Sequence, residues 1–402
     1  MLLICGVDNT PYRRSPRVRV RAVTGRIAPI VLAAVCACGS DPAPAPIRFL
    51  HTFSPDETEL FNAAIAERGI PVDSSLVPFA RGQQVISEIL TAGTTCPDLI
   101  RIDATWLPGL RSQLVAPPPE LAALDWTPEA AALAQLDGAW WGVPQTLDGL
   151  IVIRDSATPA PASPSIDDLV AAARATKSEG RRYPLATRVD GYWLVPWLRA
   201  EGADFAVDRV AALPASVGTI DNATRALERY AQMFGDVVAP PPAAGSEAPD
   251  ELRRWASHEV AYWITGPWQL GALRDPERIA VTPIAHAPRG GQLLVVPRCA
   301  KRPADGWRLA AELASVPVEV TFANAFRTIP TRVAALERAP ALSRAAADAL
   351  RSAEMLPRMI TTPLLFDDLN PALAAVVAGD ATPKEAIDGV RRGWARLAKK
   401  QP

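Results

Sequence analysis

The side chains able to act as acid, base or nucleophile are few in this chain and scattered. Its three histidines, His51, His258 and His286, stand far apart. No HExxH, paired CxxC, GxGxxG, phosphate-loop or GxSxG pattern occurs. Two acids could meet in space to cleave a glycosidic bond, yet no spacing marks such a pair. Residues suited to binding are easier to find. The run Val260-Ala261-Tyr262-Trp263-Ile264-Thr265-Gly266-Pro267-Trp268 reads as a short buried strand, a Gly-Pro break, and a helix opening near Pro267. Proline suits a helix's first turn, where its missing N–H had no partner anyway. Trp268 then falls just past a strand's carboxyl end, where ligands bind in open α/β sheets. A flat apolar face beside helix-start donors suits a sugar ring. The alternative is a tryptophan that only fills core.

Sugar sites combine such faces with planar polar side chains, and other strand ends offer both. His51 and Thr52 close an apolar run from Ile47. Glu57 follows Ser54 by three residues, so it is either a ligand-facing acid or half of a capping box. Asp103 closes Leu99-Ile100-Arg101-Ile102 beside Trp106, as a ligand contact or as the cap of the next helix. Tyr192 and Trp193 follow a glycine in an aromatic-rich segment; core packing is the competing reading, and it fits Trp197 better than Trp193.

The elements that must position these residues alternate. Strands are predicted at 47–53, 76–79 and 97–103, with helices from Ser54 to Gly69 and from Gln83 to Ala92, the latter stopped by Gly93. Strand–helix alternation argues for a largely parallel sheet with helices on both faces. Later helices are predicted from Ser165, at 221–235 and 249–257 with a Pro/Ala/Gly loop between, and from Pro303 to Ser315. With 402 residues there is chain enough for two cores.

Acidic and basic residues nearly balance, 43 against 42. Residues 1–37 hold six arginines and one acid, a net +5, so the chain's −1 leaves −6 for the rest. A mildly acidic body carries no electrostatic footprint for nucleic acid. The amino terminus reads as a secretory signal: a basic stretch from Arg13 to Arg26, then an apolar Ile27 to Val35 too short to span a bilayer. It ends in Val35-Cys36-Ala37-Cys38-Gly39-Ser40, similar to a bacterial lipobox, with Cys38 the expected lipidated residue and an ordinary cleaved signal the alternative. Residues 38–46 are Pro/Ala-rich and read as a stiff tether.

In order and wording the chain resembles the extracellular solute-binding proteins of ABC transporters, the family that includes maltose-binding protein. The resemblance rests on the Gly266-Pro267-Trp268 segment, on residues 49–62 and 91–110, and on Trp141-Gly142-Val143-Pro144 leading into Leu150-Ile151-Val152-Ile153. Further matches are Ile329-Pro330-Thr331-Arg332 and the helix start at Gly379-Asp380-Ala381-Thr382-Pro383. It spans about residue 47 to the end. It implies a two-lobed α/β periplasmic-binding-protein fold of class II, each lobe a mixed sheet flanked by helices, with three hinge crossovers. The first lobe is expected at 47–146 and 286–330, the second at 147–285 and 331–402. The resemblance places Gln145 and Asp148 on the first crossover and Arg332 on the third. It implies that Asp103, Asp148, Trp268 and Arg332 line the cleft. One departure bears on the ligand. Maltose-binding members add aromatics before the C-terminal helices, whereas Thr361-Thr362-Pro363-Leu364-Leu365-Phe366 supplies only Phe366, which favours a di- or small oligosaccharide over maltodextrin.

Two cysteines, Cys96 and Cys299, remain in the exported body and are candidates for one disulfide. In the resembled family the strand before Cys299 runs antiparallel in the first lobe, which brings its end to the cleft-distal side where Cys96 enters. The function implied is that of a lipid-anchored, monomeric envelope protein without cofactor or metal. It would bind a carbohydrate and deliver it to the membrane subunits of an ABC importer. The alternatives are an envelope enzyme acting on glycans or a sensory binding protein on the same scaffold.

Overall fold

The computed structural model describes residues 45–399, apart from 179, 204–205, 208–209, 212–216 and 242–249. Chain contacts separate Met1–Ala43 from one compact body, Pro44–Pro402, and only the body is described below. The signal segment, Cys36, Cys38, most of the tether and most of the 239–248 loop lie outside the described residues. No helix among the described residues is long and apolar enough to cross a membrane.

The main strands are β1 Ile47–His51, β2 Val72–Leu76, β3 Leu99–Asp103, β4 Val143–Gly149, β5 Ile151–Asp155, β6 Leu185–Ala186, β7 Tyr262–Thr265, β8 Ile279–Thr282, β9 Pro288–Pro297 and β10 Glu354–Met355. One sheet runs β10-β9-β3-β1-β2, with β4 also paired to β9. Within it β1 lies parallel to β2 and β3, and β9 runs antiparallel to both β3 and β4. The second sheet runs β8-β5-β7-β6 and is likewise mixed. This is the two-lobed arrangement expected.

Local sequence explains most element ends. Helix Pro55–Ala66 opens on a reciprocal cap, in which Glu57 N donates to Ser54 Oγ at 3.2 Å and Ser54 N donates to Glu57 Oε2 at 2.8 Å. Helix Phe79–Ala92 closes on Gly93 at φ 65°, a left-handed position that suits a residue without Cβ. The second strand lies earlier than expected. Its sequence, Val-Asp-Ser-Ser-Leu, carries no apolar run because it is an edge strand with mostly exposed side chains. The apolar Leu76-Val77-Pro78-Phe79 instead ends that strand and starts the next helix.

Ahead of the short strand β10, the chain passes between the lobes at three places. β4 stays in the first sheet to Gly149, beyond the expected edge at 146, and β5 begins the second sheet two residues later. The return falls between Thr282 and Pro288. The third passage follows Ile329 and Arg332, which bridge to Leu147 and Trp126, and precedes helix Ala341–Ala349, which packs on β8. Short strand β10 then pairs back onto Pro288 and Arg289. Buried Leu147, Leu150 and Ile151 belong to a core that continues from one lobe into the other. Helices Leu365–Ala378 and Pro383–Ala398 pack on each other and on the second-lobe helix Val217–Gln232.

Cys96 and Cys299 are joined in a disulfide with Cα atoms 5.8 Å apart across 203 residues. The antiparallel pairing of β9 with β3 produces this, because the end of β9 lies beside the start of β3.

Candidate functional site

Alternation along β3 puts Leu99, Arg101 and Asp103 on one face. Arg101 is almost fully buried where the first sheet faces its partner. Its Nε donates to Gln145 Oε1 at 2.9 Å, its Nη1 to Thr52 Oγ1 at 2.8 Å, and its guanidinium lies 4.5 Å from the Phe53 ring centre. The ends of β1, β3 and β4 are thereby tied into one polar floor.

Two residues along, Asp103 Oδ1 accepts from Thr105 N at 2.8 Å and caps a short 3-10 turn. Its Oδ2 accepts from Gln292 Nε2 at 3.2 Å. Asp148 completes the group on β4, opposite Gly290. A Cβ at position 290 would stand 2.9 Å from Asp148 Oδ1, so glycine is what lets this carboxyl lie against β9. Burial raises the Asp103 carboxyl above its ordinary range. Burial, and then the charge of Asp103, push the Asp148 carboxyl up to about 7.

The second lobe answers with aromatic rings. Asp190 caps helix Gly191–Ala200 through Tyr192 N at 2.8 Å, and Asn370 Oδ1 accepts from Gly191 N at 2.7 Å. Tyr192 at that helix start points its hydroxyl to Pro288 O, 3.4 Å away on the first-lobe strand β9. Burial holds the Tyr192 phenol well above its usual range, and the charges of Asp148 and Asp103 add to this. Trp193 is buried and donates from Nε1 to Ile264 O at 2.9 Å. It meets Trp268 edge-on, with ring centres 6.2 Å apart at 78°. Trp268 itself is 44% exposed. Its ring covers Gly266, where a Cβ would come within 2.0 Å of it, so this Gly-Pro-Trp order is sterically required. Its segment, Pro267–Ala272, abuts β4 and helix Val316–Phe326 of the first lobe. That segment is a six-residue 3-10 turn where a helix was expected, so it presents no sustained helix dipole.

Four expected contacts occupy structural positions. His51 is 1% exposed among Phe49, Phe53 and Phe61, and burial, aided by Arg101, lowers its pKa to about 4. It closes β1 with its side chain turned into the lobe. Glu57 is spent on the capping box. Trp106 is buried against Phe79, centres 5.3 Å apart. Arg332 is held by first-lobe partners. It pairs with Asp125, covers the Trp126 ring at 5.4 Å and donates to Ala314 O at 3.3 Å. The turn before it is held by buried Glu319, whose carboxylate accepts from Thr331 N at 3.1 Å, Arg332 N at 3.0 Å and the Thr331 hydroxyl. The Pro-Thr-Arg motif is thus a brace at the third passage.

The structure brings together Asp103, Gln145, Asp148, Tyr192, Trp193 and Trp268, and adds three residues that sequence reasoning missed. Arg101 and Gln292 are polar interruptions inside apolar strands, a signal that was there to read. Phe79, 53% exposed on Trp106, follows Pro78 where strand turns to helix. Exposed Ile360 and Leu364 lie on the segment whose 3-10 turn, Thr362–Leu364, packs on the Ala104–Trp106 turn.

A family model described as bacterial extracellular solute-binding protein matches residues 54–319. No curated protein matches. Among solved structures the chain is similar to the GacH receptor of Streptomyces glaucescens, crystallised unliganded and with acarbose, at TM-score 0.74 and 22% identity, covering 89% of this chain and 99% of that one. It is similar to a solute-binding protein of Thermotoga lettingae bound with α-D-tagatose, at TM-score 0.71 and 21% identity, covering 88% and 99%. It is also similar to maltose-bound T. maritima MalE3, at TM-score 0.75 and 16% identity, again over 88% and 99%.

Proposed function

The chain belongs to the bacterial extracellular solute-binding proteins, and from that premise we propose that it is the carbohydrate-binding component of an ABC importer. The observation that carries this is Trp268. It is a large apolar ring left 44% exposed where its segment abuts the first lobe, propped edge-on by Trp193 and lying over Gly266. A sugar ring offers the matching apolar face, and in this reading Asp103, Asp148 and Gln145 serve as partners for its hydroxyls. Phe79 with Ile360 supplies a second apolar wall. The three similar structures named above hold acarbose, tagatose and maltose, which agrees with this reading.

In this account the lobes meet at passages near residues 149, 288 and 339. Ligand closes them because only the closed state lets the first-lobe acids and the second-lobe rings touch it together. The protein acts as a monomer held at the envelope by a lipid on Cys38, handing sugar to the membrane subunits without turning it over. A thermal-shift screen over mono- to tetrasaccharides tests the proposal, since a ligand that binds only the native state raises its melting temperature. A rise with at least one sugar is expected. No rise across the screen, or release of shorter sugars during incubation, would overturn it.

A further inference from the structure

Resting on the carbohydrate reading, we propose that the sugar this cleft takes carries an amine, and that its ammonium seats among Asp103, Asp148 and Gln292. The argument is a count of donors and acceptors. Asp103 Oδ1 is occupied by Thr105, and its Oδ2 by Gln292 Nε2 at 3.2 Å. An ionised carboxylate only accepts, so Gln292 must turn its NH2 toward Asp103, which leaves its Oε1 as an acceptor. Gln292 is 5% exposed and that Oε1 is buried without a partner. Asp148 lies on the far side of the same strand, across from Gly290. Arg101 donates through Nε to Gln145 and through Nη1 to Thr52, and the Tyr192 hydroxyl is directed at Pro288 O.

The open position in the cluster is therefore the buried Gln292 Oε1, an acceptor without a donor, set beside the two carboxyls. A hydroxyl brings one donor but also two lone pairs, which would face acceptors here. An ammonium brings only donors, and its positive charge favours the ionised form of two carboxyls that burial otherwise holds toward protonation. Among the described residues no third acid, histidine or cysteine joins the pair to hold a metal ion, so an organic cation fits better. The faces of Tyr192 and Trp268 are suited to the ring that bears the amine.

The test is calorimetric titration of the mature protein at pH 7 with matched pairs: glucose and glucosamine, galactose and galactosamine, mannose and mannosamine, cellobiose and the glucosamine disaccharide. At least one amine member should bind about ten-fold or more tighter than its neutral partner. Asp148→Asn, confirmed folded by circular dichroism and a cooperative melt, should bring that ratio to within about three-fold. Neutral members binding as tightly as amine members would overturn this inference and leave the carbohydrate reading standing. So would a preference that survives Asp148→Asn. Binding of no member, together with a silent thermal-shift screen, would overturn both.

Discussion

Replacing Trp268 by alanine perturbs a large ring that the fold leaves 44% exposed where the second-lobe segment meets the first lobe. A tryptophan side chain presents up to about 250 Å², and the 44% left exposed corresponds to roughly 110 Å². A sugar stacked on one face covers about half of that, which at about 25 cal/mol/Å² gives roughly 1.4 kcal/mol. Ring-face contact adds about 1 kcal/mol. The total, about 2–2.5 kcal/mol, weakens affinity by roughly 30–70-fold. Trp268→Phe keeps a smaller face and should lose less than half of this free energy. The variants should fold, because the ring is half-exposed and lies against Trp193 and the Cβ-less Gly266. Calorimetry with the best ligand of the sugar screen reads the affinity, and a thermal melt without ligand reads the fold. Unchanged affinity in a folded Trp268→Ala protein would refute the stacking argument.

Other expectations follow from single interactions. Peptide mass spectrometry of envelope-purified, unreduced protein should find Cys96 linked to Cys299, and replacing both by serine should lower stability by roughly 3–5 kcal/mol in the chain-entropy picture, read by urea melts; free thiols at both positions would contradict this. Glu319→Ala strips three donors at the third passage of their acceptor and should cost about 2–4 kcal/mol, whereas an exposed alanine substitution such as Glu337→Ala should cost under about 0.5 kcal/mol. Because Asp148 has a raised folded pKa of about 7, its contribution is fully present below the unfolded value near 4 and is lost as pH rises through 7. Asp148→Asn should therefore gain stability relative to the parent between pH 4.5 and 8, by at most about 4 kcal/mol; an equal difference at both pH values would contradict the assignment. Cys38→Ser should leave the precursor uncleaved or release the protein from membranes, and a variant that still matures and sediments with membranes would point to another anchor.

Much of the fold was legible because it is locally encoded. Ser54 and Glu57 spell a helix start, Gly93 a helix end, and Gly266-Pro267-Trp268 a strand-to-turn break, each through contacts within a few residues. The edge strand Val72–Leu76 was not legible, since a strand with little buried surface needs no apolar pattern. The site divides along the same line. Trp268, Asp103 and Asp148 could be named from strand ends and family wording, because each closes or follows a strand that the sequence pattern marks. Their state was decided by tertiary packing. Gln292 reaches Asp103 from a residue 189 positions away, and Asp148 feels Asp103 across an intervening strand. His51 and Arg332 show the converse. Both stood where a ligand residue belongs in the sequence, but a ring cluster around His51 and the Asp125–Trp126 pair beside Arg332 had already claimed them. The sequence determines which side chains arrive at the mouth; which of them keep a free valence depends on neighbours brought in from far along the chain, because hydrogen-bond capacity is finite and burial decides who shares it.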